Sequence, residues 1–119
     1  MQRFTDLKVW QRSHQIVLSI YRLTKSFPDD ERYGLVSQLR RAVASVPTNI
    51  AEGSSRQGHQ DFARFLNIAE GSLAETHYLM LLSADLGYFN KSVAEEHLAE
   101  ISEIARMLYT LRMKVEQKG

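Results

Sequence analysis

The chain has 119 residues, 44% of them hydrophobic and 24% charged, with a formal net charge of +1 and no cysteine. That composition describes one globular domain over residues 1–119, excludes disulfide-stapled, collagen-like and Pro/Gly-rich disordered classes, and removes every thiolate nucleophile and Cys-based zinc site. No apolar run approaches the roughly 18 to 20 residues that a membrane helix needs. Charge also stands at Arg3 and Asp6, where a signal peptide would be apolar, so the expectation is a soluble cytoplasmic protein.

Breakers at Pro28, at Gly53 to Gly58 and at Gly87 cut the chain into four segments. In the first, about 8–26, a helical period places Val9, Ser13, Ile16, Val17, Ile20, Leu23 and Thr24 on one face. Lys8, Arg12, Gln15, Ser19 and Arg22 share the opposite face. The second, about 30–52, is led by Asp29, Asp30 and Glu31, acids suited to the positive end of a helix dipole. Its stripe is Leu35, Val36, Leu39, Val43, Val46 and Ile50. The third, about 59–86, aligns Phe62, Phe65, Leu66, Ala69, Leu73, Thr76 and Met80. The fourth, about 92–116, opens with Ser92-Val93-Ala94-Glu95, a capping-box pattern, and continues through Ala94, His97, Ile101, Ile104, Leu108, Leu111 and Val115. No segment alternates with period two. The sequence therefore predicts an all-α protein, an antiparallel up-down four-helix bundle.

Pro47 interrupts a stripe that continues on both sides, which predicts a kinked second helix with the Val43 carbonyl served by Ser45, Thr48, Asn49 or water. Gly71, inside the third helix, predicts a close backbone approach. Tyr78 to Leu82 are five consecutive apolar residues, and five steps of 100° run right around a helix, so one inner face cannot hide them all. Tyr78, Leu81 and Leu82, with Leu7 and Leu18 at the edge of the first helix, are accordingly the candidate subunit interface.

Catalytic patterns are missing. No glutamate is followed three residues later by a histidine, no His-x-x-x-His spacing occurs, and Gly53 to Gly58 lacks the Lys-Ser/Thr ending of a phosphate loop. That stretch reads as a helix–helix turn in which Ser54, Ser55 and Gly58 are candidate caps for the third helix. His97 reads as a hydrogen-bonded core residue. No metal, cofactor or catalytic residue is assigned. Basic residues remain: residues 1–27 carry a local +4 through Arg3, Lys8, Arg12, Arg22 and Lys25 against Asp6, whereas residues 54–87 carry −2. Arg3, Lys8, Arg12 and Arg22 on the first helix, with Arg40, Arg41, Arg56 and Arg64 around the second turn, are the candidate phosphate contacts.

Several strings also carry a family resemblance: Leu7-x-x-Trp10, Phe27-Pro28-x-x-Glu31-x-Tyr33-Gly34-Leu35, Gln38-x-Arg40-Arg41-Ala42, Ser45-Val46-Pro47-x-Asn49-Ile50-Ala51-Glu52-Gly53, and Phe62-x-x-Phe65-Leu66-x-Ile68-Ala69-x-Gly71-Ser72-Leu73-x-Glu75. Together, over roughly residues 4 to 90, they resemble the four-helix-bundle proteins encoded in intervening sequences of bacterial 23S ribosomal RNA genes. The resemblance implies a ring-like homopentamer without enzymatic activity. It also implies kinship with the accessory proteins of diversity-generating retroelements, which are partners of a reverse transcriptase and its nucleic acid. The net charge of +1 is lower than in those basic relatives. Under this resemblance Pro47, Asn49, Glu52, Gly53 and Gly71 are structural rather than catalytic. The expected partners are the chain itself and RNA or a ribonucleoprotein, with no membrane. The alternatives are a protein-interaction module without nucleic-acid binding and, more remotely, an enzyme.

Overall fold

The computed structural model describes residues 3–119; Met1 and Gln2, the start of the charged N-terminal segment, lie outside them. Four helices follow in chain order: α1 (Lys8–Thr24), α2 (Leu35–Ser54), α3 (His59–Asp85) and α4 (Lys91–Lys118). Single 3-10 turns occupy Phe4–Asp6 and Asp29–Glu31, and there is no strand among the described residues. Each helix packs on its sequence neighbour and α4 closes back on α1, so α1 and α3 stand diagonally across the core, as do α2 and α4. The rod measures 45 × 24 × 20 Å.

The stripes read from the sequence form the core. Ile20, Leu39, Val43, Val46, Ile50, Leu66, Met80, Ile104 and Leu108 are fully enclosed, and truncating any of the leucines, isoleucines or Met80 to alanine would cost about 2–5 kcal/mol through lost burial plus a cavity. Hydroxyls on the inner faces bond within their own helices: Ser13 Oγ donates to the Val9 carbonyl at 2.7 Å, Thr24 Oγ1 to Ile20 at 2.8 Å, Thr76 Oγ1 to Ser72 at 2.9 Å and Ser83 Oγ to Leu79 at 2.7 Å. Each thereby enters the core without an unmet hydrogen bond.

Helix ends differ from the sequence reading in three places. α2 begins at Leu35 rather than near residue 30, because Asp29–Glu31 wind into a 3-10 turn and Gly34 holds a non-helical backbone at φ −109°, ψ −106°. Of the three acids Glu31 caps the helix, its Oε1 accepting from the Leu35 amide at 3.2 Å. Ser54 and Ser55 do not cap α3. Their hydroxyls donate backwards to the Ala51 and Glu52 carbonyls at 2.9 and 2.8 Å, serving the C-terminus of α2, and α3 starts from Gly58 without a side-chain cap. At α4 the cap is Asn90, whose side chain accepts from the Val93 amide at 2.8 Å; Ser92 already lies within the first turn.

α2 runs through Pro47 without a break. The neighbouring side chains do not reach the Val43 carbonyl as expected: Thr48 Oγ1 donates to Ala44 and Asn49 Nδ2 to Ser45, both at 2.8 Å. Asn49 Nδ2 also reaches Ser45 Oγ at 2.9 Å, and Ser45 Oγ meets Ser72 Oγ at 2.9 Å, a polar chain joining α2 to α3. The close approach expected at Gly71 is found at Gly53 instead. A Cβ on Gly53 would lie 2.6 Å from Phe65 Cβ, whereas one on Gly71 would meet nothing within 4 Å. α3 ends in a turn at Gly87, φ +81°, a left-handed conformation natural to glycine, with the Tyr88 amide bonded back to Ser83.

Candidate nucleic-acid interface

The fold sorts the eight candidate phosphate contacts. Arg12 is committed inside the molecule: Nε and Nη2 grip the two Glu100 oxygens at 2.9 and 2.6 Å, tying α1 to α4, and this bidentate hydrogen bonding raises its already high pKa. Arg40 is also internal, donating to Thr24 Oγ1 at 2.9 Å and the Tyr21 carbonyl at 3.2 Å with its guanidinium 4.6 Å from the Tyr21 ring. Arg56 and Arg64 lie 4.9 and 4.5 Å from the Phe65 ring centre and share Asp61 at 3.7 and 2.9 Å. Arg3 pairs with Asp6 at 3.7 Å. Lys8, Arg22 and Arg41 remain exposed and make no ion pair among the described residues.

Lys8 belongs to a site that one-dimensional reading missed. Between the start of α1 and the C-terminal half of α4 runs an open groove of about 350 Å³ floored by Leu7, Val9, Met107 and Leu111. Its rim carries Lys8, Lys114 and Arg106; Glu103, also on the rim, is paired with Arg106. More than ninety positions separate Lys8 from Arg106 in the sequence, so only antiparallel closure of α4 on α1 brings them together. Farther along the same seam Arg22 borders a second cleft of about 460 Å³ with Gln15, Ser19, Glu96 and His97. There His97 links the helices rather than sitting in the core: Nδ1 is 2.9 Å from the Val93 carbonyl, which can only accept, so in the neutral ring Nε2 is the acceptor for the Ser19 hydroxyl at 2.8 Å.

The interface candidates divide too. Leu18, Tyr78 and Leu81 are 38%, 60% and 42% exposed. Leu7 and Leu82 are half-buried and pack against the core of their own chain, which leaves them less free surface than the other three. Tyr21, one turn from Leu18, is 40% exposed, and Ile68, farther up α3 and not among the sequence-based interface candidates, is 41% exposed. No group of three or more metal-ligating side chains forms among the described residues, and no helix there is long and apolar enough to cross a membrane.

Comparison with known proteins adds a family. No curated protein matches the chain. In structure it is similar to a crystallised protein of unknown function from the S23 ribosomal protein family of Bacteroides thetaiotaomicron VPI-5482, with a TM-score of 0.81 and 26% identity over 87% of this chain and 97% of that one. The family described as 23S rRNA-intervening sequence protein matches residues 5–110, from the first 3-10 turn well into α4. A match across all four helices, joined to a bundle that superposes on a relative along nearly its whole length, leaves one conclusion: this chain belongs to the 23S rRNA-intervening sequence protein family.

Proposed function

We propose that the protein is a non-catalytic, self-associating helical scaffold of the bacterial cytoplasm that contacts RNA phosphates through the seam between α1 and α4. The observation that carries this reading is the rim formed by Lys8, Arg106 and Lys114, where three cations face one carboxylate across an open groove. A single copy of so small a cluster binds weakly. Repetition around a homo-oligomer, pentameric as the family resemblance implies, would convert it into a useful affinity by raising the effective concentration of each further contact. Because phosphate contacts position without specifying sequence, unrelated structured RNAs should bind alike.

The test is a mobility-shift titration against structured RNA at about 50 and 200 mM salt, where phosphate-driven affinity falls steeply. Lys8→Glu and Lys114→Glu should each weaken binding, while Arg64→Glu, at a guanidinium already held by Asp61, should matter less. A pull-down from the native cell accompanies the titration. No shift at low salt, together with a recovered protein partner, would replace the RNA scaffold with a protein-interaction module. Stoichiometric metal retained through dialysis would instead reopen an enzymatic reading.

A further inference from the structure

We propose that the exposed face of α3 in one copy docks on the α1 edge of the next, a contact between unlike faces; this rests on the self-association read above and names the surfaces that make it. Two apolar strips are exposed on the rod. One lies on α1 at Leu18 and Tyr21, the other on α3 at Ile68, Tyr78 and Leu81. Since α1 and α3 are diagonal in the bundle, the strips face away from each other and neither can cover the other within one chain.

Their charges are opposite. Exposed Lys25 lies one turn beyond Tyr21 and exposed Arg22 one turn beyond Leu18, and neither pairs with an acid among the described residues. Exposed Glu75 and Asp85 lie on the α3 face. Pairing like with like would oppose bases to bases and acids to acids, whereas pairing α1 with α3 brings both apolar strips together with complementary charge. Gly71 adds an independent observation. It occupies the same face of α3 between Ile68 and Tyr78, with exposed Ala74 one turn on, and nothing in its own chain approaches it. A glycine inside a helix costs about 1 kcal/mol relative to alanine, and a neighbouring copy seated on this face gives that missing side chain a use. Unlike faces on opposite sides repeat until the assembly closes on itself.

Light scattering on paired variants tests the contact. The native chain at micromolar concentration should give a multiple of 13.7 kDa; a mass of one chain would overturn the self-association reading and this inference with it. Leu18→Glu breaks only the α1 face and Tyr78→Glu only the α3 face, so each alone should be a folded monomer by circular dichroism. Mixed in equal amounts they should form a dimer and nothing larger, because one intact face of each kind remains. A native oligomer whose variants keep its mass, or variants that stay monomeric when mixed, would overturn the inference while leaving self-association standing. Charge reversal supplies a second set that leaves the apolar residues in place. Arg22→Glu with Lys25→Glu should dissociate the assembly, and adding Glu75→Lys with Asp85→Lys should restore it; failure of that restoration would also count against the contact.

Discussion

Two glycines in this chain answer different demands. Gly53 lies in the last turn of α2 with its missing side chain turned onto Phe65 and Phe62 of α3, and a Cβ there would come within 2.6 Å of Phe65 Cβ. Gly53→Ala should therefore force the two helices apart and lower the stability by about 1–3 kcal/mol, the usual cost of overpacking. Gly71→Ala should do the reverse. Measured by urea denaturation in the Leu18→Glu background, where assembly does not contribute, it should add about 0.5–1 kcal/mol, because nothing in the same chain approaches the position. The sequence shows two glycines at or inside helices and cannot tell them apart, since the distinction is a distance to a residue on another helix.

At the scale of elements, the boundaries show where local sequence governs and where it does not. The apolar stripes of all four helices were legible, because burial on one face imposes a period that survives in the sequence. The caps were less so: Ser92-x-x-Glu95 fits a capping box, yet Asn90 two residues earlier takes the amide of Val93. Asn90→Ala should cost about 1 kcal/mol and Ser92→Ala much less, a difference readable from thermal melts. Glu31 illustrates the same limit at α2, where one oxygen caps Leu35 and the other accepts from the Tyr88 hydroxyl at 2.7 Å, linking the turn before α2 to the turn between α3 and α4. Hydrogen bonding to that carboxylate, with desolvation second, raises the Tyr88 phenol above its ordinary value near 10. A raised phenol pKa means that the folded state holds the proton more tightly. Its stabilising contribution is complete below about pH 10 and is lost as the pH rises through the folded value. Denaturation midpoints of the native chain and Tyr88→Phe should accordingly differ up to about pH 10 and converge above it.

At the scale of the whole molecule, the candidate site was legible only in part. The basic bias of the first segment was visible, but Arg12 and Arg40 proved to be internal ties, because Glu100 and Thr24 reach them only once the helices pack. Lys114 and Arg106 entered the site for the converse reason: nothing in their neighbourhood on α4 announces Lys8. The seam that joins them is also the one contact in the bundle between helices that are not consecutive in the chain. It is the least extensive of the four helix seams, and its polar ties include Arg12 to Glu100 and Ser19 to His97. This topology has a kinetic meaning. Contacts between consecutive helices close short loops, whereas docking α1 on α4 must close nearly the whole chain, so the seam should form late and open first. Native-state hydrogen exchange should find amides in α1 exchanging through a partial opening, and those in the middle of α2 and α3 only on global unfolding. Arg12→Ala should speed exchange in α1 and leave the protected amides of α2 and α3 closer to their native rates. The surface proposed to meet RNA would then also be the hinge line along which the protein breathes, and an RNA bridging Lys8 to Lys114 would slow that opening across the whole of α1.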